Sequence, residues 1–169
     1  MKTETGFKCI YCESKIGHNT PGDVEHIVPS TKDEDKHFDW DNLSIACTEC
    51  NRRKSNYYKD GEEFLNPYSD IDIEELIEHC GPIVNWRNGN VRAEVTVKTL
   101  KLNNKERIEL IIRKIEKIEE VNTLVERYIA EKHLALKKII ELQLVEMTNT
   151  ESEYSGMVKT LLMQKGIPT

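Results

Sequence analysis

The fold of this chain is decided by residues 9–54, which contain, in order, CIYC (9–12), GDVEHIVP (22–29), DNLSIA (41–46) and CTECNRRK (47–54). Two C-x-x-C pairs are a standard arrangement for holding one tetrahedral Zn²⁺ ion. Simple zinc ribbons separate such pairs by roughly 15–20 residues, and the gap here is about twice as long. The insert must therefore form structure of its own between the two halves of the metal site.

The insert predicts a β-hairpin with a long loop. Residues 23–28 are short, rich in β-branched side chains and bounded by turn residues, so they predict a strand that Pro29 ends. Residues 43–46 predict the partner strand. The two strands are joined by a polar segment, residues 30–41.

Two aromatic residues and a helix complete the predicted motif. Phe38 and Trp40 lie near the end of the polar loop, and we expect them to anchor it. Thr48 is expected to cap a helix over residues 49–58, since threonine is a favoured N-cap residue. The predicted order is therefore strand, loop, strand and helix.

These motifs, in this order, resemble the HNH (ββα-metal) endonucleases in the version that carries a four-cysteine zinc site. The resemblance covers roughly residues 9–54. It implies an α+β fold with a zinc-stapled ββα-metal module, and an enzyme that hydrolyses DNA phosphodiester bonds. The Zn²⁺ ion would be structural, and its predicted ligands are Cys9, Cys12, Cys47 and Cys50.

The resemblance also assigns catalytic roles. His26 would be the general base, and Asn42 would pin the loop so that the imidazole faces the phosphate. Glu25 and Asn51 would hold one catalytic cation, Mg²⁺ or Mn²⁺, since hard oxygen ligands suit these ions. Two positions depart from the family pattern. Glu25 stands where Asp is more frequent, and Asn51 stands where the name-giving pattern ends in His.

Four basic residues in or near the motif are predicted to contact nucleic acid: Lys32, Arg52, Arg53 and Lys54. The three that follow Asn51 are equally consistent with a solvated helix face. His26 and Asn42 also have plain explanations, as a packed histidine and as a turn cap. What favours catalysis is that all of the motif residues occur together and in order.

The acidic net charge limits what this chain does alone. Its formal net charge is −6, whereas proteins that bind DNA unaided usually carry a basic surface, because phosphate neutralisation supplies most non-specific affinity. We therefore expect weak binding to DNA by the isolated chain. A partner would supply the remaining affinity, or the motif would make only a short contact.

Downstream of the motif, the sequence predicts mainly helices. A helix is predicted over residues 70–79 and a β-hairpin with its turn at residues 87–90. Over residues 103–147, apolar side chains recur at spacings of three and four. This pattern predicts one long helix, or two helices broken near residues 122–123. A final short helix is predicted over residues 157–164.

We therefore expect three parts: an HNH nuclease module with structural zinc (1–66), a connector with a short helix and a β-hairpin (67–102), and a helical region (103–169). The apolar stripe of the helical region is longer than the N-terminal module can cover. A helical hairpin that packs on itself would bury the stripe. Docking on another subunit, either a partner protein or a second copy, would also bury it.

A second resemblance covers residues 66–112. Asn66-Pro67-Tyr68, the segment 81–84 and the segment 99–103 are similar to the HNH component of Septu-type and retron-linked antiphage systems. The resemblance implies an antiviral defence complex in which an SMC/ABC-like ATPase docks on the long C-terminal helices. Such a partner would supply DNA capture, which would account for the acidic net charge.

Two other functions are consistent with parts of the sequence. A non-catalytic zinc-binding module would recognise nucleic acid or protein, but it has no need for the Glu25-His26 pair, whose carboxylate would repel DNA in the absence of a metal. Four cysteines also hold iron in rubredoxin-like electron carriers. The colour of the purified protein distinguishes an iron site from a zinc site.

The remaining features concern location. No apolar run approaches the length of a membrane span, and no apolar segment follows the first residues, which argues against secretion. Paired cysteines outside a disulfide framework favour a reducing cytoplasm, with Cys80 left as an idle or buried thiol. Four histidines have no motif context and are expected to be surface or packing residues: His18, His37, His79 and His133.

Overall fold

The computed structural model describes residues 2–17, 21–70 and 73–169 and has a mixed α+β architecture, which confirms the predicted fold class. His18, the one predicted surface histidine in the first gap, lies outside the described residues. The strands are β1 (Asp23–His26), β2 (Leu43–Ala46), β3 (Ile77–Cys80) and β4 (Ile83–Trp86). The helices are α1 (Thr48–Lys54), α2 (Ile73–Leu76), α3 (Val91–Thr99), α4 (Ile108–Ala130), α5 (Leu134–Glu146) and α6 (Ser155–Gln164).

Strands β1 and β2 form the predicted hairpin. They pair antiparallel, with Asp23 opposite Ala46 and His26 opposite Leu43. The connecting loop contains two short 3₁₀ turns, Glu34–Lys36 and Trp40–Asn42. Because side chains alternate along a strand, Glu25 and His26 leave β1 on opposite faces, and only Glu25 is buried.

Helix α1 follows β2, but its ends differ from the prediction. Cys47, not Thr48, is the N-cap, and its Sγ accepts a hydrogen bond from the Cys50 backbone N–H at 3.4 Å. The helix ends at Lys54 instead of residue 58, because Ser55 takes a left-handed φ of 48°. The cysteine that belongs to the metal cluster thus also starts the helix.

The prediction for the middle segment was correct in part: a short helix, α2, and the strand β4 are present, but the expected helix is shorter and the hairpin is formed differently. Residues 77–79 of the expected helix belong to strand β3, which pairs with β4 across a turn at Gly81, whose φ is +59°. Residues 71 and 72 of the expected helix lie outside the described part of the chain. The expected second hairpin strand is helix α3, because the Asn90 side chain accepts a hydrogen bond from the Ala93 N–H and caps that helix.

Helices α4 and α5 pack against each other as a helical hairpin, which was one of the two predicted arrangements of this region. The break lies at residues 131–133, not near Thr123, whose hydroxyl donates to the Glu119 carbonyl inside α4. Val121 and Val125 of α4 and Leu144 of α5 are buried in the hydrophobic core. A second set of large apolar side chains stays exposed on α4 and α5: Ile108, Ile112, Ile115, Ile129, Leu134, Leu136, Ile139 and Leu142.

The C-terminal segment returns to the N-terminus. The Tyr154 hydroxyl lies 3.1 Å from Ser14 Oγ, and Lys8 Nζ donates to Ser155 Oγ at 3.0 Å at the start of α6. One hydrophobic core contains residues from all three predicted parts of the chain, and the division at residues 66 and 102 stays a prediction. No helix in the described ranges is both long enough and apolar enough to cross a membrane.

Candidate active site and metal centre

The two cysteine pairs meet in one cluster. The Sγ atoms of Cys9, Cys12, Cys47 and Cys50 all lie within 4.8 Å of one another. The Cys12 and Cys47 sulfurs are 3.8 Å apart. Four thiolates at the usual Zn–S distance of about 2.3 Å around a tetrahedral ion would be about 3.8 Å apart. The cluster therefore fits a structural Zn²⁺ ion in donor type, donor number and spacing.

Backbone contacts hold the first cysteine pair against the hairpin. The Cys9 N–H donates to the Ser14 carbonyl at 2.9 Å and closes the zinc knuckle, the turn that carries Cys9 and Cys12. The Ile10 N–H donates to the Ile45 carbonyl at 3.1 Å and ties the knuckle to β2. The second pair lies at the start of α1. A bound Zn²⁺ ion would therefore fix the position of α1 relative to the knuckle.

A buried arginine contacts the cluster from the helical region. Arg107, which precedes α4 and is only 6% exposed, donates from Nη1 to Cys50 Sγ at 3.3 Å and to the Leu100 carbonyl at 3.1 Å. Four thiolates around one Zn²⁺ carry a net charge of about −2. The guanidinium offsets part of that charge and links the cluster to α4.

The backbone of the long loop fixes one nitrogen of the His26 ring. His26 Nε2 lies 3.0 Å from the carbonyl oxygen of His37. A carbonyl oxygen only accepts hydrogen bonds, so Nε2 must carry the proton, and in the neutral ring the lone pair is on Nδ1. The His37 ring stacks on the His26 ring with 4.8 Å between their centroids. The Nδ1 atom of His37 lies 2.6 Å from Ser30 Oγ.

Asn42 holds the loop that orients His26. Its buried side chain accepts from the Val28 N–H at 2.7 Å and donates to the Val28 and Lys36 carbonyls at 2.9 and 3.0 Å. Lys36 directly precedes His37, so the amide fixes the backbone next to the carbonyl that holds His26. This is the geometry that the predicted orienting role of Asn42 requires, and the role itself stays a prediction.

Glu25 is not open to a metal ion. Its carboxylate is 1% exposed, forms an ion pair with Lys54 Nζ at 2.5 Å and accepts a hydrogen bond from the Tyr11 hydroxyl at 3.0 Å. Burial raises the pKa of the Glu25 carboxyl, and Lys54 and Tyr11 oppose that effect. The Asn51 amide donates to Asp23 Oδ2 at 3.3 Å. In this arrangement Glu25 does not fit a catalytic cation, because Lys54 and Tyr11 engage its carboxylate. The Asn51 contact uses Nδ2 and not Oδ1, the oxygen that would bind a cation, so the metal role of Asn51 stays a prediction.

Comparison with known families agrees with the site. Residues 9–57 match the family model described as HNH endonuclease. This segment is an HNH endonuclease domain. Over an alignment of 129 residues, the chain is 28% identical to the Septu protein PtuB of Bacillus mycoides (strain KBAB4). That match covers 59% of this chain and 44% of the relative, so the chain spans less than half of its length. No solved structure matches the chain.

The basic residues of the HNH domain divide into two groups. Lys32 and Arg52 are exposed, although Arg52 pairs with Glu49 at 2.9 Å. The Arg53 side chain is 7% exposed and lies between Glu49 and Glu106, and Lys54 is buried against Glu25. Of the four predicted contacts, Lys32 and Arg52 are therefore the two placed where a phosphate could reach them without breaking a buried ion pair.

Three residues of the site were not identified from the sequence. His37 was expected to be a surface or packing residue, yet it supplies both the carbonyl and the ring against His26. Tyr11 lies inside the first C-x-x-C pair and supports Glu25. Arg107 contacts a cysteine 57 positions earlier in the chain. The position of Tyr11 between two ligands was a usable signal, but the sequence carries none for the other two.

Proposed function

We propose that the HNH domain hydrolyses phosphodiester bonds in DNA, with His26 as general base. The observation that carries this proposal is the contact of His26 Nε2 with the His37 carbonyl, which places the lone pair of the neutral ring on Nδ1. Membership of residues 9–57 in the HNH endonuclease family supports the reaction class. In this role Nδ1 removes a proton from water, the water oxygen bonds to phosphorus, and the bond to the leaving oxygen breaks.

The chain's own residues divide the remaining tasks. Asn42 and the His37 carbonyl keep the His26 ring in one orientation, which avoids reorganisation during proton transfer. Lys32 and Arg52 are the exposed cations proposed to contact DNA phosphates. The Mg²⁺ or Mn²⁺ site predicted at Glu25 and Asn51 is not used in this proposal, since a cation at Glu25 would first have to replace Lys54.

Plasmid cleavage tests the assignment of His26. We expect His26→Ala to abolish cutting while zinc content and the circular dichroism spectrum stay those of the wild-type protein. His133→Ala is the matched control, because His133 lies at the break between α4 and α5, outside the HNH domain. This variant should cut at the wild-type rate. Cutting by His26→Ala at the wild-type rate would remove His26 from the mechanism.

A defence role and an ATPase partner extend the proposal. They rest on the similarity to Septu protein PtuB and on the apolar side chains that α4 and α5 leave exposed. We propose that an ATPase docks on this surface and supplies the DNA affinity that a chain of net charge −6 lacks. Cleavage assays with and without the co-encoded ATPase test this, and the isolated chain is expected to cut weakly.

One observation favours a second candidate, a non-catalytic zinc-binding module. The buried Glu25–Lys54 pair fills the position where a catalytic cation is expected in this family. A binding module would retain nucleic-acid affinity and show no cleavage under any metal condition. The plasmid assay, run with Mg²⁺ and separately with Mn²⁺, distinguishes the two candidates.

A further inference from the structure

The long loop of the HNH domain exposes two aromatic side chains. Phe38 is 88% exposed and Trp40 is 58% exposed, although the sequence predicted that both would anchor the loop. That prediction was wrong, because buried Asn42 fixes this loop in their place. Large apolar rings in water are costly, so two of them in one short segment point to a ligand.

The exposed Phe38 ring is continuous with the candidate catalytic histidine, and Trp40 lies two positions further along the same loop. The His26 and His37 rings stack with their centroids 4.8 Å apart and their planes 21° from parallel. The Phe38 ring meets His37 edge-on, with 4.3 Å between centroids and 90° between planes. Two ring contacts thus connect Phe38 to the proposed base. Neighbouring nucleotides of one unpaired strand can bridge this span, with a base on Phe38 and a phosphate at His26.

The charge of the loop opposes binding of a duplex. Residues 30–41 contain two lysines and five carboxylates: Lys32 and Lys36, against Asp33, Glu34, Asp35, Asp39 and Asp41. A duplex presents its phosphates outward, so this net negative segment repels it. An unpaired strand can turn its bases toward the protein instead, and aromatic side chains bind bases of any sequence by stacking.

We propose that Phe38 and Trp40 form a stacking platform for the bases of unpaired DNA. The platform places a single-stranded or unpaired segment next to His26 and makes that segment the preferred substrate. This inference rests on the proposed nuclease function and specifies its substrate class. It does not depend on the catalytic cation, because stacking is a property of the rings alone.

Tryptophan fluorescence measures the platform directly. The chain has two tryptophans, so Trp86→Phe leaves Trp40 as the single reporter. A single-stranded oligonucleotide is titrated without added Mg²⁺ or Mn²⁺, and a gel checks that it remains intact. We expect quenching of Trp40 that saturates, and at least tenfold weaker binding of the duplex of the same sequence. Equal affinity for the two DNA forms would overturn the proposal.

Substitutions identify which rings bind. Phe38→Ala in the Trp86→Phe protein is expected to weaken single-strand binding about tenfold, whereas Phe38→Tyr, which keeps a stacking ring, should bind within about twofold of the parent. Met163→Ala is the matched control, since Met163 is 60% exposed and apolar but lies on α6. Unchanged affinity in Phe38→Ala would overturn the proposal, as would a loss confined to association with a protein partner.

The outcomes separate this inference from the nuclease proposal. If single-strand binding depends on Phe38 but no cleavage is found, the platform stands and the proposed reaction fails. If His26-dependent cleavage treats duplex and single strand alike and ignores Phe38, the reaction stands and the platform fails. The two proposals are therefore tested independently.

Discussion

Residues that lie next to each other in the sequence have separate tasks in the HNH domain. Glu25 and His26 leave β1 on opposite faces, so the imidazole faces the loop while the carboxylate enters the core. The sequence motif predicts which residues matter, because their types and order are specific. It does not predict that Lys54, placed among the nucleic-acid contacts, would neutralise Glu25. The position of Lys54 on helix α1 does not by itself predict whether its ammonium group faces solvent or enters the core.

The Glu25–Lys54 pair is expected to be a strong single-residue determinant of stability. Removing one partner leaves a buried, uncompensated charge, so Lys54→Met should lower the free energy of unfolding by about 3–5 kcal/mol. Urea unfolding of the zinc-loaded protein measures the change. Lys59→Met replaces an exposed lysine that pairs with Glu62 on the surface, and it should change stability by no more than about 0.5 kcal/mol.

A double substitution separates the charge effect from loss of packing. Glu25→Leu with Lys54→Met removes both charges and keeps apolar volume, so much of the lost stability should return. A double variant no more stable than Lys54→Met alone would show that the ion pair is not the source of the loss. The same proteins would also report whether the pair affects cleavage.

At the scale of elements, the sequence predicted β1, β2, α1, β4 and the long helices, but not strand β3 or helix α3. The first group has strong signals, namely β-branched runs bounded by turns and a helical period repeated over many residues. Residues 77–80 are few, and their local pattern does not separate a strand from a helix. Their pairing with β4 is set by the turn at Gly81 and by packing against α6. The packing against α6 is a tertiary contact, which the local sequence pattern of residues 77–80 does not reveal.

The packing of β3 against α6 makes stability depend on pH. Burial, aided by nearby Lys114 and opposed by Glu13 and Glu74, lowers the pKa of His79 to about 4, and its Nδ1 has no hydrogen-bond partner among the residues that the structure describes. An unfolded histidine has a pKa of about 6.5. Between these values the unfolded chain binds more protons, so His79 contributes stability above about pH 6.5 that is lost as pH falls toward 4.

Comparison of variants at equal pH isolates this contribution. Stability should fall as pH drops below 6.5, with a slope that approaches about 1.4 kcal/mol per pH unit from His79 alone. His79→Gln should be less sensitive to pH than the wild-type protein between pH 5.5 and 7. His133→Gln, at an exposed position, should keep the wild-type slope. Parallel curves for the wild-type protein and His79→Gln would exclude this residue as the source.

At the scale of the whole molecule, the helical region is built onto the metal centre. Arg107 directly precedes α4 and contacts Cys50, the residue before Asn51, while Tyr154 at the start of α6 contacts Ser14 beside the first cysteine pair. Any movement of α4 relative to α1 would therefore act on the cluster first. The sequence could not reveal this link, because an isolated arginine in a charged helical region resembles many solvated ones.

Arg107 is expected to set the zinc affinity of the whole molecule. Arg107→Gln removes the positive charge beside the cluster and most of the donor geometry, so zinc affinity should fall by about 10- to 100-fold, the usual effect of losing an outer-shell partner. Competition with a zinc chelator, followed by metal analysis, measures the shift. Arg113→Gln is the matched control, because Arg113 is exposed, lies in the adjoining helix α4 and pairs with Glu116. If both variants release zinc at the same chelator concentration as the wild-type protein, the charge of Arg107 does not stabilise the cluster, and its contact with the Leu100 carbonyl would remain its only structural role.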